Sequence, residues 1–261
     1  MELGLKGKYA LVTGGSHGIG RSTALALAQE GCHVAICART PERIETTLAL
    51  LKPTGVDAIG IPADVMNDAE IAQVMQAISA RWGTLHILVN NVGGGGRWGK
   101  EKIEETEERV WTEVYEKNVL SAIRFTTRAL PFMVKQRWGR VVTVTSLFGR
   151  EGGGRPWFSM AKTAQTAMMK ALALKHDLAA ANVTFNSVAP GAIMIPETGW
   201  EREAREKPHE IEALLKREFP LERFGTPEEV ASVIVFLCSE KASLVNGASI
   251  PVDGSQGKSI I

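Results

Sequence analysis

Short apolar runs alternate with helix-like stretches along the whole chain. Tyr9-Ala10-Leu11-Val12-Thr13 reads as a buried strand, and Ile19 to Glu30, rich in Ala and Leu and closed by Gly31, reads as a helix. His33 to Ala38 is a second strand. Thr40-Pro41-Glu42 opens the next helix, with proline in the first turn, where its missing N–H costs nothing. The rhythm continues with a strand at Ala58 to Pro62, a helix through Ile71 to Ala80, and a strand at Leu85 to Val89. Val141 to Thr145 and Val183 to Val188 are later strands of the same kind. Strands that are apolar throughout must be covered on both faces, and the intervening helices supply the cover. The pattern predicts an α/β fold, a doubly wound parallel sheet with helices on both faces. No repeat period and no linker-like shift in composition interrupts it, so residues 1–261 are expected to form one domain.

Two segments break the rhythm. Gly93 to Gly96 is a loop tip. Residues 192–225 are Glu- and Arg-rich with a helix-like centre, and lie between two strand signals. They read either as an insertion over a site or as a solvated surface helix.

Composition narrows the function classes. With 261 residues and 44% apolar content the chain can bury a core without disulfides or a structural metal. Thirty basic against 29 acidic residues give a net charge of +1, so nothing general draws it to nucleic acid or an anionic membrane. Cys32, Cys37 and Cys238 form no CxxC pair and no even framework, which points to a reducing, cytoplasmic setting. The start, Met1 to Lys8, is too charged for a signal-peptide core, and apolar stretches such as Val230 to Cys238 are too short to span a membrane. The five histidines have no ligand spacing, so no metal site is expected.

The chemistry begins at Thr13-Gly14-Gly15-Ser16-His17-Gly18-Ile19-Gly20, between the first strand and the first helix. Glycines at 14, 18 and 20 permit a tight turn and let backbone N–H groups approach a ligand, while the helix aims its positive end at the same place. In this strand–turn–helix–strand setting the turn suits a dinucleotide's diphosphate. Gly14-x-Ser16-x-Gly18 also fits a hydrolase nucleophile elbow, but only one strand can precede it, which leaves no room for the oxyanion loop that such a site needs. Unchanged activity in Ser16→Ala would count against that alternative.

Together these motifs resemble the short-chain dehydrogenase/reductase family, close to its 3-oxoacyl-acyl-carrier-protein reductases, over nearly the whole chain. The turn has that family's T-G-x-x-x-G-x-G form; Asn90-Asn91-Val92-Gly93 resembles its N-N-A-G. Asn118 resembles its helix asparagine and Ser146, at a strand end, its catalytic serine. Pro190-Gly191 and Pro251-Val252-Asp253-Gly254 fall where the family has similar pairs and endings. The resemblance implies a single-domain Rossmann-type fold and hydride exchange between a nicotinamide cofactor and a carbonyl or alcohol.

The family's Y-x-x-x-K reads Phe158-Ser159-Met160-Ala161-Lys162 here. The resemblance gives the tyrosine the role of proton donor and has Lys162 lower its pKa and bond the nicotinamide ribose. It has Ser146 bond the substrate carbonyl and Asn118 hold a water that relays protons to Lys162. Phenylalanine keeps the packing volume and loses the proton. Three readings follow: an engineered Tyr→Phe change that stops chemistry, a natural enzyme using another donor, or a non-catalytic dinucleotide-binding regulatory or scaffold protein. The two tyrosines, Tyr9 and Tyr115, lie far from this position in sequence.

At the end of the second strand, where a carboxylate would select NAD(H), stands Ala38-Arg39-Thr40. A guanidinium there favours the 2′-phosphate of NADP(H), unless Arg39 is a solvated loop residue. His17 either adds to that contact or faces solvent. The expected cofactor contacts are Gly14, Ser16, His17, Gly18, Ile19, Gly20, Arg39, Asp64, Val65, Asn91, Gly93, Lys162, Pro190, Gly191 and Ile193. Ile195 stands where many family members have a threonine. Arg97, Arg150 and Arg155 permit an anionic substrate; Trp98, Phe148 and Trp157 would equally serve an apolar or ring-shaped one. The family's habit of forming dimers or tetramers implies a homo-oligomer, joined through the helix carrying Lys162 and the C-terminal strand. Ala164, Ala167, Met168 and Ala171 on that helix are compatible with it.

Overall fold

A computed structural model describes residues 2–260. Seven strands form one sheet in the order β3-β2-β1-β4-β5-β6-β7, and every neighbouring pair is parallel. They are β1 (Tyr9–Thr13), β2 (His33–Ala38), β3 (Ala58–Pro62), β4 (Ile87–Asn90), β5 (Gly139–Val144), β6 (Val183–Pro190) and β7 (Ser249–Val252). The helices are α1 (Gly18–Gln29), α2 (Pro41–Leu51), α3 (Asp68–Trp82), α4 (Glu108–Tyr115), α5 (Ser121–Lys135), α6 (Pro156–Ala173), α7 (His176–Ala180), α8 (Gly199–Glu206), α9 (Pro208–Glu218) and α10 (Pro227–Cys238). Each of the parallel sheet's faces has its own core. One packs Ala24 and Leu27 of α1, Ile44 and Leu51 of α2 and Val230 and Ile234 of α10 on the sheet. The other packs Ile71, Val74 and Ile78 of α3, Phe125 and Met133 of α5 and Met169 of α6. This two-sided burial accounts for the unbroken apolar strands.

The first three strands keep the limits their sequence sets. β5 begins two residues before the apolar run, because Gly139 and Arg140 pair with Val183 and Thr184. β6 runs on to Pro190, whose neighbour is Val252. Residues 192–225 form two helices rather than one, separated at Lys207, with Pro208 opening the second. The strand order reverses between β1 and β4, so a crevice opens at their carboxyl ends, where folds of this type bind ligands. No helix among the described residues is long and apolar enough to cross a membrane.

Candidate active site

A cavity of about 380 Å³ occupies that crevice. Gly14, Ser16, His17, Arg39, Asp64, Val65, Asn91 and Gly93 line it, as the sequence predicts, together with Trp98 and Lys117, which it does not. Gly14 holds a left-handed backbone (φ 64°) that a side chain resists. Gly18 and Gly20 form the first turn of α1, and Ile19 beside them is half-buried. That end of α1 has no side-chain cap and no acidic residue in its first turn. Its unpartnered amides and positive dipole end therefore suit an anion. Asn91 staples the crevice together: its Nδ2 donates to the Thr13 carbonyl at 2.9 Å, and its backbone N–H donates to Thr13 Oγ1 at 3.0 Å. His17 is half-buried at the cavity, and burial, then Arg43 and Arg21, push its pKa below the usual histidine value. It therefore brings no charge near neutral pH.

Asn118 sits in a π-helical turn, Glu116–Leu120, between α4 and α5. Its Nδ2 donates to the carbonyls of Val114 (2.7 Å) and Gly94 (2.9 Å), and its Oδ1 accepts from the Gly94 N–H (3.2 Å). The side chain thus takes a carbonyl from the helix ladder and pins the glycine loop after β4. The turn also frees the Asn118 carbonyl, which accepts from Gln165 Nε2 at 2.7 Å. Lys162 Nζ donates to Gln165 Oε1 at 3.0 Å and to the Val144 carbonyl at 3.1 Å. The Gln165 amide thus joins the Asn118 carbonyl to Lys162 directly. Lys162 is 3% exposed, and burial, then Lys117, brings its pKa down to about 7. A Cβ on Gly93 would lie 2.8 Å from Lys162 Nζ and 2.9 Å from Asn118 Oδ1, so only a bare backbone passes there.

Gln165→Leu removes both amide bonds, takes the side-chain donor from the Asn118 carbonyl and leaves Lys162 with the Val144 carbonyl. A buried group left unpaired costs about 1–3 kcal/mol. Urea unfolding of this variant is expected to show a loss of about 2–5 kcal/mol.

Beyond Lys162 lies a second cavity of about 580 Å³, lined by Ser146, Phe148, Phe158, Gly191, Trp200 and Phe219 among others. The Phe158 ring stands between the two, its centroid 5.7 Å from Lys162 Nζ. Ser146 Oγ accepts from the Phe148 N–H at 3.3 Å, so its own proton remains to be donated. Trp200 and Leu214 come from α8 and α9, with Phe219 just beyond them. The segment after β7 forms another wall. Glu151 accepts from the backbone N–H groups of Lys258 (2.6 Å) and Ser259 (2.8 Å), and Gln256 Oε1 accepts from the Ala192 N–H (2.8 Å).

Several expectations change. Ile193 turns its side chain into the core, leaving its backbone as the part that a ligand at the strand ends can meet. Ile195 lies instead against Gly18. Trp157 is buried and donates through Nε1 to the Gly95 carbonyl at 3.2 Å, so it braces the glycine loop. Trp98 lines the first cavity, not the second. The arginines offered for an anion are engaged: Arg97 pairs with Glu203, Arg155 with Glu101, and Arg150 donates to the Ser249 carbonyl. Neither tyrosine lines either cavity; Tyr9 stacks on His33 and His86 at the far end of the sheet, and Tyr115 packs in the small cluster with Phe158. Sequence reasoning missed Gln165 and Lys117. Their one signal was polarity, an uncharged amide on the buried side of α6 and a lysine next to Asn118.

Comparison with known proteins gives a consistent outcome. The family model described as enoyl-(acyl carrier protein) reductase matches residues 14–255. The 3-oxoacyl-(acyl carrier protein) reductase of Aquifex aeolicus is 37% identical over 257 residues, covering 97% of this chain and 99% of that protein. The enzyme of the same name from Pseudomonas aeruginosa is 36% identical over 253 residues, covering 97% and 98%. The crystal structure of L-sorbose reductase from Gluconobacter frateurii, complexed with NADPH and L-sorbose, superposes with a TM-score of 0.92 at 29% identity over 100% of both chains.

Proposed function

The chain belongs to the short-chain dehydrogenase/reductase family, and from that membership and its site we propose an NADP(H)-dependent oxidoreductase that interconverts a carbonyl compound and a secondary alcohol. One observation supports this most. The Gly93 backbone, at the wall of the crevice cavity, lies against Lys162, and the Phe158 ring beside Lys162 opens onto the second cavity with Ser146. A dinucleotide laid along the crevice would thus bring its reactive end to a pocket with a hydroxyl donor.

The residues present fit that cofactor. The amides of Gly14 to Gly20 at the mouth of α1 would hold the diphosphate, and Arg39 a 2′-phosphate. Asp64 and Val65 would border the adenine, and Asn91, Gly93 and the backbone of Pro190, Gly191 and Ile193 the remainder. When bound, the nicotinamide supplies or accepts the hydride. Lys162 would hold the ribose hydroxyls, and Ser146 would donate to the carbonyl oxygen as charge gathers there. Phe158 keeps the wall in place and supplies no proton, so turnover in this chain is impaired. Residues 192–225 would close over the substrate through Trp200, Leu214 and Phe219. That surface would receive an apolar carbonyl compound, while Arg97, Glu151, Arg155, Glu218 and Lys258 on the same cavity's lining would receive a polar one. The exposed Leu174, at the C-terminal end of the helix carrying Lys162, and Leu244, shortly before β7, suit self-association into a dimer or tetramer.

Phe158 also favours a second reading, a dinucleotide-binding protein without redox activity. Both readings require cofactor binding. Calorimetric titration is expected to show NADPH bound in preference to NADH, and Arg39→Ala to weaken NADPH about 10- to 100-fold while changing NADH little. Absence of binding to either dinucleotide would overturn both.

A further inference from the structure

Lys117 is a cation with no counter-charge in contact. It lies in the π-helical turn beside Asn118, half-buried, and borders the crevice cavity together with Arg39. Its ammonium stands 4.9 Å from the centroid of the Trp98 ring, which borders the same cavity. The other guanidinium at this wall, Arg43, is paired with Glu197. Among the described residues Arg39 and Lys117 have no ion-pair partner within 4.0 Å. The one carboxylate on the cavity wall, Asp64, accepts from the Met66 N–H at 3.0 Å; it attracts Lys117 weakly, without forming an ion pair. Two cations without an ion-pair partner therefore border one open cavity. Burial, then the charge of Arg39, holds the Lys117 pKa below its ordinary value, so the folded protein bears a cost for keeping this group charged. An anion entering between the two removes that cost.

We propose that Lys117 contacts a phosphate group of the bound dinucleotide, from the same cavity wall as Trp98, which serves as its platform. The inference rests on the cofactor reading above. It adds to it a contact from α4–α5, whereas the contacts inferred from sequence come mainly from the strand ends. The phosphate is either the 2′-phosphate or the diphosphate, and both offer the same oxygens to an ammonium.

The test is calorimetric titration of the full chain, of Lys117→Met and of Lys117→Arg with NADPH, NADH and adenosine 2′,5′-bisphosphate, beside thermal melts without ligand. Methionine retains the aliphatic stem over Trp98. Lys117→Met is expected to weaken NADPH about 10- to 100-fold, as loss of a charge-assisted contact does, with Lys117→Arg close to the parent. Its ligand-free melting temperature is expected not to fall, since an unpaired charge has been removed. Loss for NADPH and the bisphosphate with NADH unchanged places the contact on the 2′-phosphate. Equal loss for NADPH and NADH places it on the diphosphate, whether or not the bisphosphate, which carries the adenosine-side 5′-phosphate, weakens as well. NADPH affinity within twofold of the parent in a folded Lys117→Met overturns the proposal while leaving the cofactor reading intact. A parent chain that binds no dinucleotide overturns that reading, and this proposal with it. Should Lys117→Met not fold, Lys117→Gln supports or overturns the proposal by the same criteria.

Discussion

Phe158→Tyr is expected to raise NADPH-coupled carbonyl reduction about 100- to 10,000-fold, the usual worth of a positioned general acid. The ring already stands 5.7 Å from Lys162 Nζ, and it shares its cavity with Ser146. A hydroxyl on it therefore arrives beside an ammonium that favours phenolate, drawing the phenol down from its ordinary value near 10. Because the two groups interact, the pH–rate profile of the variant should report the pair and not either residue alone. The gain should fall on kcat, with NADPH affinity unchanged, since the hydroxyl adds a proton and leaves the crevice as it was. The measurement is initial rate against a panel of apolar and polar ketones. No rise with any of them would refute the view of a catalytic site stopped by one missing oxygen, and would favour either another proton donor or a binding protein.

Lys162→Met is expected to change how stability responds to pH. The lysine takes up its proton near pH 10.4 in the unfolded chain and near pH 7 in the folded one, where burial and then Lys117 penalise the charge. Between those values the unfolded state holds more protons, so the free energy of unfolding rises with pH, by at most about 1.4 kcal/mol per unit from this one group. Below pH 7 the penalty is carried in full. Denaturant unfolding of both proteins at pH 7 and pH 9 should therefore show the parent gaining about 2–3 kcal/mol on the methionine variant. Parallel behaviour of the two would mean that Lys162 titrates as an ordinary surface lysine, and the buried Gln165–Lys162–Val144 arrangement would be wrong.

Most of the framework was legible because parallel strands covered on both faces carry their burial in their own residues. Tyr9–Thr13 and His33–Ala38 needed nothing else, and Ala58–Pro62, an edge strand only partly buried, kept enough apolar character to be read. The crevice was legible for a related reason: a glycine turn between a strand and a helix specifies its backbone locally. What stayed hidden depends on partners distant in the chain. Arg97 reads as a free loop cation until Glu203 meets it, and Trp157 as a ligand platform until its Nε1 finds Gly95. Gln165 is unremarkable in α6 until the π-helical turn presents the Asn118 carbonyl to it. The division of residues 192–225 into two helices turns on Pro208, which was visible, yet which faces they bury was not.

The tie between Glu151 and the backbone of Lys258 and Ser259 has a consequence for divergence. With the Gln256–Ala192 bond, it fastens a stretch that lies outside both cores to the rim of the reaction chamber. Insertions, deletions or side-chain changes in that stretch would alter the chamber's reach and polarity while sparing both cores and the crevice. Breadth of acceptance could then drift quickly among descendants of this chain, at little thermodynamic risk, with the chemistry held constant.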